Sequence, residues 1–164
     1  MSGAKPPPRI KPQLESPLLR DDPRLAACLK APAQHILRGA SGAHVTRLQL
    51  ALMAVLPGAT LPPAELPDLV RARSAQFGTG TEALVFRFKS EHDPPIVNRA
   101  YQNSVDRIVG QMTLSALDDA LLRLPAGPDL LQHCLRLIEA ISHPHLDLGL
   151  RQVMRAEATR RFGA

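Results

Sequence analysis

The residues with the most chemical potential lie in one loop and at two helix starts. The loop carries Arg99, Tyr101, Asp106 and Arg107: two cations, an aromatic face and a carboxylate. Thr79, Thr81 and Thr113 stand where two helices are expected to begin, and Phe77 leads into the first of them. A helix start leaves backbone amides without partners, and threonine hydroxyls add donors and acceptors beside them. Arginine grips a carboxylate with two parallel hydrogen bonds, and helix N-termini favour anions. This chemistry suits recognition of a polar ligand better than bond cleavage.

Catalytic arrangements are weaker. His133 precedes Cys134, as a base might precede a thiol nucleophile. On a helix, neighbours one residue apart point in different directions. His143, His145 and Asp147 alternate as metal ligands could, but Pro144 makes a turn there and a further ligand is not evident. The expectation is a protein that is not an enzyme, with no catalytic residue, no metal and no cofactor.

These residues must be positioned by a core that contains almost no aromatic side chains. Of 164 residues, 3% are aromatic, with no Trp and a single Tyr. Leu, Val, Ile and Ala must fill the interior, and Leu and Ala favour helices. The net charge of +5 attracts polyanions. Without stacking aromatics or a nucleic-acid motif, that charge gives no support for DNA or RNA as a partner. Cys28 and Cys134 leave the redox compartment open. The N-terminal stretch MSGAKPPPRIKPQLESPLL has no apolar run of the secretory kind. No segment approaches the ~20 apolar residues of a membrane span. The expectation is a soluble chain made in the cytoplasm; action in the periplasm or at the wall requires another delivery route.

Residues 1–35 form a proline-rich N-terminal arm, extended as a tail or along the body. Within it Asp21, Asp22 and Pro23 suit the start of a short helix through Leu25, Ala26 and Leu29. Val45, Leu48, Leu52 and Val55 make an apolar stripe on a helix that starts at Ala43 and stops before Pro57 and Gly58. The loop 57–76 is expected to carry one helical turn near Pro67–Ala75. A second helix starts at Thr79, where Thr79 and Glu82 have capping-box spacing, and buries Leu84, Val85 and Phe88. A third starts near Gly110 and uses Ala116, Leu117, Ala120, Leu121 and Leu124. Residues 125–164 are expected to be a helical C-terminal extension.

Two of these helix starts look alike. Phe77-Gly78-x-x-Thr81-x-x-Leu84-Val85 matches Val109-Gly110-x-x-Thr113-x-x-Ala116-Leu117. Each has an apolar plug, a glycine, a first-turn threonine and two apolar residues on the buried face. One device used twice suggests two related halves packed together.

Three blocks in order resemble the peptidoglycan-binding-like domain family. They are Gly39-x-x-Gly42-x-x-Val45-x-x-Leu48-Gln49-x-x-Leu52, then Phe77-Gly78-x-x-Thr81-x-x-Leu84-Val85-x-x-Phe88-Lys89, then Val105-Asp106-Arg107-Ile108-Val109-Gly110-x-x-Thr113-x-x-Ala116-Leu117. The stretch Val97-Asn98-Arg99-Ala100-Tyr101-Gln102 also looks like those of stand-alone bacterial proteins of this kind. The chain departs from the pattern at Lys89, where the family has Gln, at Arg107 for Gly, and at Leu84 for Ala. The resemblance implies an all-α three-helix module over residues 36–124. It also implies a shallow groove for cell-wall glycopeptide, with peptidoglycan as partner. The ligand-binding residues are then expected to be Phe77, Thr79, Thr81, Arg99, Tyr101, Asp106, Arg107 and Thr113, with the 77–81 turn facing the 97–113 segment across the groove. The rival reading is a protein–protein adaptor, or an accessory or cargo of a type VI-like contractile secretion system, docking through the arm and the C-terminal helices.

Overall fold

The computed structural model describes residues 5–68 and 71–124. The expected C-terminal extension, with His133, Cys134, His143, His145 and Asp147, lies outside the described residues. Four helices build the described part: α1 (Pro23–Lys30), α2 (Ala43–Val55), α3 (Thr79–Glu91) and α4 (Gln111–Arg123). The fold is all-α, and isolated β-bridges replace strands among the described residues.

The local signals work largely as the residue types dictate. Asp22 caps α1, accepting from the amides of Arg24 and Leu25 at 2.9 and 3.0 Å. Pro23 fits the first turn, which has no use for its missing N–H. The stripe expected on one face of α2 is too narrow a description. Val45, Leu48, Leu50, Ala51 and Leu52 are all buried, so α2 is enclosed on several sides, whereas Val55 is only partly covered. It packs on both α3 and α4, and α1 packs on α4. One continuous apolar cluster joins Leu19 of the arm to Leu25, Leu48, Val85, Leu114 and Leu117.

A short segment, residues 36–41, with a turn at its middle, ties the two similar helix starts together. Ile36 exchanges both backbone hydrogen bonds with Val109, each at 2.9 Å. Ala40 accepts from the Phe77 amide at 2.8 Å, and the Gly39 amide donates back to Phe77 at 3.0 Å. Gly39 and Gly42 have φ of +96° and +121°, a backbone that lets this strap turn into α2 and that side chains resist. Phe77 and Val109 plug the core just where the strap holds them.

The helical turn expected near Pro67–Ala75 does not form. Asp68 and Arg73 instead exchange backbone hydrogen bonds at 2.9 and 2.8 Å, so amides pair across the loop rather than along it. The Arg73 guanidinium adds bonds to the carbonyls of Pro63 and Leu66.

The proline-rich arm lies along the body. An extended proline-rich chain has no internal hydrogen bonds, so its amides need outside acceptors. Asp118 of α4 supplies them: its carboxylate accepts from the amides of Glu15 and Ser16 at 3.0 and 2.8 Å, and from Lys11 Nζ at 2.6 Å. Its side chain is 0% exposed. Burial by itself would raise the Asp118 carboxyl. The bonds from Lys11, then Ser16 and Glu15, outweigh that and hold it below the usual carboxylate range. A folded-state value below the unfolded one stabilises the fold above the unfolded pKa, about 4, and the contribution fades as pH falls through the folded value. Asp118→Asn is therefore expected to cost about 3 kcal/mol at pH 7 in urea unfolding. Its deficit against the wild type should shrink steadily below pH 4.

Candidate functional site

The two similar helix starts are satisfied in different ways. At α3 the N-cap is Gly78, which offers no side chain. The Thr79–Glu82 capping box does not form: Thr79 is exposed, and Glu82 sits 3.9 Å from Arg38 instead. A carboxylate from the preceding loop takes the place. Glu65 accepts from the amides of Gly80 and Thr81 at 2.6 and 2.8 Å, more weakly from Gly78 at 3.2 Å, and from the Thr81 hydroxyl at 2.7 Å. One residue thereby satisfies four donors and sets a negative charge on the positive end of the helix, which a local Thr–Glu pair cannot match. Glycine is required for this close approach. A Cβ at Gly78 would lie 2.7 Å from the Glu65 carboxyl group, and one at Gly80 would lie 2.5 Å from Pro62. Gln49 of α2 completes the buried network, donating to the carbonyls of Glu65 and Gln76 and to Thr81 Oγ1 at 3.0–3.1 Å.

At α4 the backbone repeats and the filling does not. Gly110 has φ −115° and ψ −169°, close to the −104° and −163° of Gly78. No side chain caps it. Among the described residues, nothing accepts from the amides of Gly110, Gln111, Met112 or Thr113. All four residues line a cleft of about 410 Å³. Ile96, Ile108 and Met112 give the cleft apolar surface, and Asn98 and Gln102 give it amide groups. Ile10 and Tyr101 stand exposed at its rim, Tyr101 at 87%.

The wall formed by residues 98–108 is anchored by Lys89. Its ammonium meets Asp106 Oδ1 at 2.5 Å and donates to the Ile108 carbonyl at 3.1 Å. Burial would raise the Asp106 carboxyl, but the bonds from Lys89, the Ile108 amide and Gln102 hold it below the usual range. Lys89 lies one turn further along α3 than Gln49 does along α2, yet makes a comparable bond. Gln49 takes the carbonyl just before Phe77, and Lys89 takes the carbonyl just before Val109. Each helix thus fastens the backbone just ahead of the residue that leads into the next helix, one with an amide and the other with an ammonium.

The expected site residues separate into groups. Tyr101, Asp106 and Thr113 line the cleft. Phe77 and Thr81 are buried, one in the core and the other in the Glu65 network, and Thr79 is exposed at the α3 start. Arg107 lies over the Phe86 ring, 5.0 Å from its centroid, and neither it nor Arg99 lines the cleft. No residue of the 77–81 turn lines the cleft, and the amides of that turn are taken by Glu65. The opposite wall comes from Ile10, Pro32 and His35. Sequence reasoning missed these residues and Glu65. Their distance along the chain carries no signal of proximity.

Chemically, the cleft can bind. Its carboxylate and ammonium are committed to each other, and among the described residues no group of His, Cys, Asp or Glu could hold a metal ion. Cys28 is buried, and burial pushes its thiol up to about 11, away from nucleophilic use. Among the described residues no helix is long and apolar enough to cross a membrane. Comparison with family models, curated proteins and solved structures finds no match.

The α3 start makes a direct prediction. Glu65→Ala is expected to lower stability in urea unfolding by about 2–3 kcal/mol, since buried donors lose their acceptor. Thr79→Ala should stay within about 0.5 kcal/mol of wild type. The reverse order would restore the capping box in place of the Glu65 cap.

Proposed function

We propose that this chain is a non-catalytic binder of bacterial peptidoglycan, built as a peptidoglycan-binding-like module and holding glycopeptide in the cleft at the start of α4. The observation that carries this reading is the cleft itself: unpaired amides, a buried threonine and an exposed tyrosine ring around one space of about 410 Å³. The three sequence blocks that resemble the family fall on α2, α3 and α4 in order, which supports the family reading. A wall stem peptide offers amides and free carboxylates, the groups such a lining satisfies. The mixture of apolar surface with a few convergent polar groups fits binding without bond cleavage.

Co-sedimentation with purified sacculi tests this, in salt high enough to screen non-specific attraction of a basic protein. The wild type should pellet. Tyr101→Ala should weaken retention about fivefold, the equivalent of roughly 1 kcal/mol of lost ring contact. Arg107→Ala should bind as wild type, because that guanidinium sits on Phe86 outside the cleft. A wild type that stays in the supernatant overturns the reading. Recovery of secretion-machine components from lysate by such a protein would then favour the adaptor alternative.

A further inference from the structure

The cleft has an internal template for its ligand. At α3, a carboxylate sits on Gly78, Gly80 and Thr81 and takes both the Thr81 amide and its hydroxyl. The positions that correspond at α4 are Gly110, Met112 and Thr113, on nearly the same backbone. There the amides lack acceptors among the described residues and open into the cleft. A second observation is independent of the helix start. Thr113 is 2% exposed, its hydroxyl makes no hydrogen bond to any described residue, and it lines the cleft. Its counterpart Thr81 donates to a carboxylate and accepts from Gln49. Thr113 therefore brings to the cleft a hydroxyl whose hydrogen-bonding capacity is unused among the described residues. At α2 the corresponding residue is Val45, and the first turn tightens so that the Val45 amide bonds the Gly42 carbonyl at 3.1 Å. The combination of an unfilled start, a waiting hydroxyl and an adjoining cleft therefore belongs to α4.

We propose that the start of α4 binds the terminal carboxylate of a peptide, in the place Glu65 holds at α3. The ligand carboxylate accepts from the amides of Met112 and Thr113, more weakly from Gly110, and from the Thr113 hydroxyl. The imidazole of His35 stands beside the site: its Nε2 lies 3.0 Å from where a Cβ on Gly110 would be. The rest of the cleft suits a peptide better than a sugar. Ile96, Ile108 and Met112 receive small apolar side chains, Asn98 and Gln102 match backbone amides, and Tyr101 offers a phenol ring at the rim. This rests on the wall-binding reading for the ligand's source, and deepens it by naming the group that is gripped.

The test uses the full chain labelled with ¹⁵N and three probes: N-acetyl-dialanine, the same peptide as its C-terminal amide, and inorganic phosphate. The acid should shift the amide signals of Gly110, Met112 and Thr113 in a saturable way, and the amidated peptide should not. Thr113→Val should weaken the acid about tenfold, and Thr113→Ser should restore it. Equal shifts from acid and amide, no shift at these three amides, or tighter binding of phosphate than of the acid would each overturn the proposal. The two readings fail separately. Discrimination of acid from amide without retention on sacculi leaves the carboxylate site standing and removes the wall as its source. Retention on sacculi without that discrimination does the opposite.

Discussion

A helix that begins on glycine enters the core with its first amides unsatisfied, and the rest of this structure is arranged around that constraint. Each start answers it differently. Asp22 caps α1 from the adjacent position. α2 tightens onto the Gly42 carbonyl. α3 receives Glu65 from the loop that precedes it. The loop must then stay in place, and the Asp68–Arg73 pairing, the Arg73 guanidinium and Gln49 all fasten it. At α4, among the described residues, no group answers the constraint, and a cleft adjoins it.

The same economy of fastening recurs ahead of α4. Lys89 reaches the carbonyl ahead of Val109 as Gln49 reaches the one ahead of Phe77, and adds Asp106 as a charged partner. Breaking such a half-buried pair leaves one ion without its counter-charge, so the cleft wall and the ion pair stand or fall together. Arg107 is accommodated outside the cleft on the Phe86 ring.

Much of the scaffold was legible in the sequence. The spacing of Val45, Leu48 and Leu52, the glycines at 78 and 110, and Asp22 before Pro23 mark four helices at nearly their observed limits. These signals are local, acting within one or two turns. The misses are long-range. Thr79 and Glu82 have the spacing of a capping box, but spacing says nothing of a competing carboxylate carried in by a loop. The far wall of the cleft depends on the path of the arm, which Asp118 fixes through bonds to residues about a hundred positions away along the chain. Pattern alone placed Thr81 and Thr113 in one role, although one is already satisfied and the other is not.

The contrast between the two threonines is the most direct measure of this account. Native-state hydrogen exchange of the free protein reads it without any ligand. The amides of Gly80 and Thr81 should be strongly protected by Glu65, and those of Met112 and Thr113 should exchange faster by at least about a hundredfold, as amides without acceptors do. Equal protection at the two helix starts would mean that the start of α4 is already filled, and would contradict the account.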